Sequence, residues 1–89
     1  MQWHRIVIHS HEAYIAQASA TALIERILKV YHDAQAREGF EVWHQRLTPM
    51  DYEYYFSPKA SEVLVPLLSG YRPVACEPPD LRTLRQVLL

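Results

Sequence analysis

The alternation of apolar and polar residues predicts a strand near the start of the chain. Residues 3–9, with the sequence WHRIVIH, are rich in β-branched and aromatic side chains, and Ile6, Val7 and Ile8 lie at their centre. Side chains alternate along a strand, so Ile6 and Ile8 are expected to join the core together.

A helical pattern follows from about His11 to Arg37, a stretch without Gly or Pro. Ser10 is the expected N-cap, and Glu12 lies in the first turn, where its negative charge suits the helix dipole. Gly39 is a plausible C-terminal cap. Apolar residues recur at helical spacing, at Ala16, Ala20, Leu23, Ile27, Val30 and Ala34.

Two strands joined by a tight turn come next. Residues 41–47 and 52–56 are the predicted strands, and residues 48–51, TPMD, form the turn of a hairpin. This register pairs Leu47 with Tyr52, Gln45 with Tyr54 and Trp43 with Phe56, and these six side chains are expected to face the helices. On the other face, it pairs Arg46 with Glu53 as opposite charges.

The last third of the chain is divided by its prolines. Ser57 and Pro58 predict the start of a second helix, which is expected to stop or kink near Pro66. Residues 72–77 are a short fourth strand. Asp80 is the expected cap of a final helix over residues 81–88, with Leu81, Leu84 and Leu88 on one side.

The element order is therefore β-α-β-β-α-β followed by a short C-terminal helix. This order predicts an α+β fold of ferredoxin-like type, an antiparallel sheet with its helices on one face and its second and fourth strands at the edges. We expect one domain over residues 1–89. The sheet face without helices is then the predicted open face, which carries Trp3, Arg5, Val7, His9, Val42, His44, Arg46, Glu53 and Tyr55.

Composition narrows the classes of function. A formal net charge of -1, with no basic run, argues against nucleic-acid binding. The single cysteine, Cys76, excludes an internal disulfide and a multi-cysteine zinc site. We expect no cofactor. The absence of a long apolar segment or a leader-like N-terminus predicts a cytoplasmic protein without a membrane partner.

The segment His9-Ser10-His11 raises the question of a metal or catalytic pair. His9 and His11 could ligate a metal only if both belonged to the strand, with a third ligand from Glu12, His44 or Cys76. The N-cap character of Ser10 favours instead a junction between strand and helix, so no metal site is predicted.

On the predicted open face, His9 and His44 are expected on neighbouring strands. With Arg5, Glu53 and Tyr55 nearby they could transfer protons, but a role in a dimer interface is the preferred interpretation. Packed together, or held in an apolar interface, the two imidazoles would have lowered pKa values, whereas a histidine paired with Glu53 would have a raised one.

Two functions remain open at this point. The aromatic and apolar content of the predicted open face favours a small non-enzymatic interaction or ligand-binding module that acts as a homodimer. The alternative is a small enzyme of the dimeric α+β barrel type, with a His/Tyr site on the same face. A small molecule or another protein is a further possible partner.

Overall fold

The computed structural model describes residues 2–9, 22–30, 38–48 and 51–87. Within these ranges the chain forms five strands, two α-helices and two 3-10 turns. The strands are β1 (Trp3–His9), β2 (Val42–Thr48), β3 (Asp51–Phe56), β4 (Val74–Cys76) and β5 (Arg85–Gln86). The helices are α1 (residues 22–30) and α2 (Pro58–Leu67), and the 3-10 turns are Ser69–Tyr71 and Leu81–Thr83.

The strands form one antiparallel sheet in the order β4-β1-β3-β2-β5. β1 pairs with β3 and β4, while β2 pairs with β3 and β5. The predicted α+β class is confirmed. The bounds of β1 are those predicted, and β2 and β3 begin within one residue of their predicted starts.

One face of the sheet packs against both helices and carries the core. Ile6 and Tyr54 are paired across β1 and β3 and are 1% and 3% exposed. Ile24 and Leu28 of α1 and Leu64 of α2 belong to the same cluster of buried side chains. Full burial of an aliphatic side chain of this size stabilises the fold by roughly 1.5–3 kcal/mol, so this face supplies most of the packing energy.

The described part of the first helix is shorter than the predicted range. Residues 22–30 are helical, and the rest of the range from His11 to Arg37 lies outside the described residues. Ile24 and Leu28 are buried, whereas Val30 is 70% exposed. Val30 lies two residues beyond Leu28, about 200° around the helix, and so cannot share its face. No helix in the described ranges is long and apolar enough to cross a bilayer.

The start of α2 is the predicted one. Ser57 is the N-cap, its Oγ accepts a hydrogen bond from the Ala60 N–H at 3.4 Å, and Pro58 occupies the first turn. Pro66 lies inside the helix, which continues one residue further to Leu67.

The Ser57 hydroxyl also connects α2 to the segment before β2. It accepts a hydrogen bond from the Glu41 N–H at 2.8 Å and donates one to the Gly39 carbonyl at 2.5 Å. Gly39 has φ +77°, a left-handed conformation that glycine adopts without a steric penalty. This hydroxyl therefore holds the entry of β2 and the start of α2 together.

The predicted register of the hairpin is wrong by one residue. Arg46, not Leu47, lies opposite Tyr52, and Thr48 lies opposite Asp51. Leu47 is the extra residue of a β-bulge between these pairs and is 47% exposed. Because side chains alternate along a strand, this one-residue shift reverses the face of every earlier β2 side chain.

The reversal changes which β2 residues are buried. Val42, predicted on the open face, is 1% exposed in the core. Gln45 is the residue opposite Glu53, so the predicted cross-strand pair of Arg46 with Glu53 does not form.

The predicted C-terminal helix is also wrong. Asp80 does cap the segment, since its Oδ1 accepts the Arg82 N–H at 3.0 Å. The helical conformation, however, is limited to the 3-10 turn Leu81–Thr83. Leu84 is already extended, with φ −106° and ψ 159°, and is buried at 8% exposure.

The chain after Leu84 adds a strand to the sheet. β5 pairs antiparallel with β2 at Trp43 and His44, and the Val87 N–H bonds to the Val42 carbonyl at 2.8 Å. These backbone bonds to an otherwise free strand edge replace those of the predicted helix. As a result β2, predicted as an edge strand, is covered by β5, while β4 is at the edge as predicted.

Candidate functional site

The sheet face away from the helices is here called the outer face. Residues paired directly across antiparallel strands point to the same side, so the register determines its members. Among the described side chains it includes Trp3, Arg5, Val7, Trp43, Gln45, Thr48, Asp51, Glu53, Tyr55, Val74, Cys76 and Gln86. Five residues of the predicted open face, Trp3, Arg5, Val7, Glu53 and Tyr55, are thus brought together.

A buried carboxylate lies at the centre of the outer face. Glu53 is only 3% exposed, although no helix of the described residues packs on this side. Its Oε2 accepts a hydrogen bond from Arg5 at 3.2 Å, and its Oε1 accepts one from the Gln45 amide at 2.8 Å. A buried carboxylate is tolerated when donors and an opposite charge satisfy it in this way.

Tyr55 completes this network. Burial raises the pKa of Tyr55, and a hydrogen bond to Glu53 raises it further, while Arg5 opposes the shift. The phenol therefore keeps its proton at neutral pH. It can donate a hydrogen bond, but it is a poor base, which weakens a proton-transfer role.

Trp43 lies opposite Tyr55 on the outer face, although it was predicted in the core opposite Phe56. Its ring N–H is buried and has no hydrogen-bond partner within the described structure. A buried donor without an acceptor costs roughly 1–3 kcal/mol. The Trp43 N–H therefore lowers the stability of the fold as it stands.

Two predicted site residues lie on the other side of the sheet. His44 is paired with Tyr54 and Arg46 with Tyr52, so both point to the helix-bearing side. The bulge at Leu47 is the cause, because it shifts β2 by one residue. The predicted convergence of His44 with Tyr55 is therefore corrected: the sheet separates them.

The two histidines are also not on neighbouring strands. β3 lies between β1 and β2, and the backbone of His9 pairs with that of Asp51 on β3. The side chain of His9 lies outside the described part of the chain, as do Ser10, His11 and Glu12. The weak metal-pair hypothesis for His9 and His11 thus falls on residues that the structure does not describe.

His44 and Arg46 instead line a second site, here called the edge pocket. It is a cavity of about 390 Å³ where β2, β3 and β5 meet the second 3-10 turn. Its lining residues are His44, Gln45, Arg46, Tyr52, Thr83 and Arg85.

An aromatic pair forms the wall of the edge pocket. The rings of His44 and Tyr52 are stacked, with centroids 5.3 Å apart and an interplanar angle of 15°. The Tyr52 hydroxyl lies 2.7 Å from His44 Nδ1, and the Arg46 guanidinium lies 5.8 Å from the centre of the Tyr52 ring. This last distance is suitable for a cation–π contact, which holds Arg46 at the pocket.

The protonation of His44 is set by its surroundings. Burial lowers the pKa of His44, and the positive charge of Arg85 lowers it further. The lowering agrees with the predicted direction, but its cause is Arg85 and burial, not a second histidine. His44 is therefore neutral at pH 7, with one ring nitrogen able to donate and the other able to accept.

Cys76 is a half-buried free thiol on β4, paired with Trp3, not a member of the core cluster. Burial raises the pKa of Cys76, which keeps the thiol protonated and weakly nucleophilic. Its position on the outer face makes it part of the surface that a partner would contact.

Sequence analysis did not predict the contacts of Tyr52 with His44 and Arg46, nor the presence of Arg85 at the pocket. Tyr52 was assigned to the core, and Arg85 to a helix. Recognising β5 was the missing step, because only a strand at residues 85–86 places Arg85 opposite His44.

No protein-family model matches the chain, and comparisons with curated proteins and with solved structures gave no significant match.

Proposed function

We propose that the protein is a small cytoplasmic interaction module that forms a homodimer through its outer face. The observation that carries this proposal is Glu53, a carboxylate 3% exposed on a sheet face that no helix of the described structure covers. Within the face, Arg5 neutralises its charge, and both Arg5 and Gln45 donate hydrogen bonds to it. Because Glu53 is already shielded from water in the single chain, covering the face with a second surface would add little desolvation cost for this carboxylate.

The charge balance of the outer face favours a second copy of the chain as the partner. Arg5 and Glu53 form an ion pair at 3.2 Å, so the centre of the face has no excess charge of either sign. A two-fold dimer places identical surfaces against each other, and a face with excess charge would repel its own copy. The aromatic side chains Trp3, Trp43 and Tyr55 surround this pair, and residues of this type are enriched in interfaces.

The size of the outer face is sufficient for a specific dimer. Five strands spaced by about 4.8 Å, with central strands of six or seven residues rising about 3.3 Å each, give a face of roughly 20 Å by 20 Å. Two such rugged faces in contact bury on the order of 1,000 Å², near the lower limit for a biological interface. We therefore expect a dimer of micromolar affinity.

We further propose that the architecture is ferredoxin-like, extended by β5. The strand order β4-β1-β3-β2 and the packing of both helices in one core cluster support this assignment. β5 is not part of the simple split βαβ arrangement. It pairs with the edge of β2 that lies away from β3.

The enzyme alternative has less support. It requires a histidine beside Tyr55, but His44 lies across the sheet and Tyr55 holds its proton. The alternative would be supported if a dimer left a cavity around Glu53 between the two outer faces, because a carboxylate in such a cavity can act as a general base.

Sedimentation equilibrium or light scattering on the full chain tests the proposal. Wild-type protein should be dimeric at micromolar concentration, and Val7→Lys, which adds a positive charge opposite Glu53 and so upsets the charge balance of the outer face, should be monomeric. Leu67→Lys is the matched control, because Leu67 is 51% exposed on α2, away from the outer face, and should leave the dimer intact.

Circular dichroism shows whether each variant is folded. A folded wild-type monomer at tens of micromolar would refute the dimer. So would a Val7→Lys variant that dimerises as well as the wild type.

A further inference from the structure

We propose that the edge pocket binds the carboxylate or phosphate group of a small organic anion. Gln45 borders both sites, but the side chains that carry the inference, those of His44 and Arg46, point to the opposite side of the sheet from Glu53. The inference therefore does not depend on the dimer.

The dimensions of the edge pocket suit a small molecule. Its volume of about 390 Å³ lies within the range of roughly 300–1,000 Å³ that is usual for ligand sites. It is formed where β5 is added to β2, so that side chains from both strands and from the turn Leu81–Thr83 surround it. An inorganic ion alone would leave most of this space unfilled, which favours an organic ligand.

The charge of the edge pocket selects an anion. Arg46 and Arg85 both line it, and none of the described residues that line it is acidic. In the described structure neither arginine forms an ion pair. Arg85 is close enough to His44 to lower the pKa of that ring. Two guanidinium groups at one cavity match the oxygens of a carboxylate or a phosphate through paired hydrogen bonds.

The neutral donors of the edge pocket add orientation. When the Tyr52 hydroxyl donates to His44 Nδ1 across 2.7 Å, the ring proton of His44 is on Nε2, which can donate to a ligand oxygen. Thr83 also lines the pocket, but its hydroxyl donates to the Asp80 carbonyl at 3.4 Å. The His44 ring binds an anion without needing to change its own charge.

The aromatic wall of the edge pocket points to a planar or apolar body for the ligand. The stacked rings of His44 and Tyr52 line the pocket next to the two arginines. A ligand that places a ring against this wall could direct an attached anionic group to Arg46 and Arg85. Aromatic contacts of this kind add about 0.5–1.5 kcal/mol beyond the buried area.

Backbone NMR titration with benzoate, benzamide and inorganic phosphate tests the inference. Benzoate should shift the resonances of His44, Arg85 and their neighbours, with a dissociation constant on the order of 1 mM. Benzamide has the same shape without the charge and should bind at least about tenfold more weakly. If phosphate binds more tightly than benzoate, the natural ligand carries a phosphate group. If benzoate binds more tightly, the ligand carries a carboxylate. Either result supports the site.

Two charge-removing variants and a control complete the test. Arg46→Gln and Arg85→Gln should each weaken benzoate binding about tenfold, the loss of one charge-assisted contact. Arg26→Gln removes the same charge from an exposed position on α1 that does not line the pocket, and should bind as the wild type does. Arg46 and Arg85 are both exposed, so their variants should fold. Well-dispersed amide resonances will confirm that each variant is folded.

Absence of shifts at the edge pocket with benzoate and with phosphate would overturn the inference. Equal affinity for benzoate and benzamide would do the same, as would full binding by both pocket variants.

Discussion

Glu53 lies directly opposite Gln45 on the outer face and accepts a hydrogen bond from its amide at 2.8 Å. Arg5 binds the other carboxylate oxygen from β1, so Glu53 links three strands of the sheet through its side chain. This arrangement exists only because of the bulge at Leu47, which brings Gln45 rather than Arg46 to this position.

Glu53→Ala should lower the free energy of unfolding by about 2 kcal/mol. The substitution leaves the donors of Arg5 and Gln45 without their acceptor, although Arg5 is 46% exposed and can turn to water, which limits the loss. Urea denaturation measures the change. Glu62→Ala, an exposed glutamate of α2, is the control and should stay within about 0.5 kcal/mol of wild type. Equal effects of the two substitutions would show that the Glu53 network contributes nothing.

Trp43→Phe should cost less than about 1 kcal/mol of stability, because removal of a buried N–H without an acceptor offsets the lost ring area. Trp43→Ala removes the whole side chain and should cost roughly 2 kcal/mol or more. Thermal or urea unfolding of both variants gives the comparison. If Trp43→Phe were as damaging as Trp43→Ala, the N–H would have an acceptor after all.

Val42→Ala and Leu47→Ala test the register of the hairpin. Val42 is 1% exposed, and its truncation should cost about 2 kcal/mol through lost burial and a cavity. Leu47 is 47% exposed on the bulge, so its truncation should cost less than about 0.5 kcal/mol. A larger loss of stability from Leu47→Ala than from Val42→Ala would instead support the register that places Leu47 opposite Tyr52.

The lowered pKa of His44 makes stability depend on pH. Burial and Arg85 hold the folded-state pKa below 6.5, so the unfolded chain binds the proton more readily. Stability should therefore fall as pH drops through about 6.5 toward the folded-state value, and level off below it. The charged and titratable groups around the ring are Arg46, Arg85, Tyr52 and Tyr54.

Urea denaturation at several pH values measures this dependence. His44→Gln should flatten the slope below pH 7, and Arg85→Gln should reduce it without removing it, since burial remains. NMR titration of the ring protons of His44 gives the pKa directly. A value above that of a model peptide would contradict the expected sign.

Local sequence signals predicted those elements whose residues determine their own structure. β1 has the predicted bounds because its β-branched centre has no competing helical pattern, and α2 begins at Ser57 and Pro58 because a cap and a fixed φ act within one turn. Trp3, Arg5, Val7, Glu53 and Tyr55 were placed on one face for the same reason: each lies on a strand with clear alternation.

The wrong predictions concern segments whose conformation depends on contacts with distant parts of the chain. On β2, either alternation places polar side chains beside apolar ones on the same face, so the pattern does not choose between them and the bulge at Leu47 selects Val42 and His44 for the helix side. At the C-terminus the leucine spacing fits a helix, but of the two leucines there that the structure describes only Leu84 is buried, and the edge of β2 offers backbone hydrogen bonds to a strand. A single sequence does not reveal that edge.

The boundary strands of the described sheet are short. β4 has three residues and β5 has two, so each presents only a few unpaired backbone groups. Strands this short are poor templates for the addition of further chains edge to edge, which is the usual route to fibres. In the proposed dimer, a two-fold pairing of outer faces would bury the surface that forms it, so association there would end at two copies.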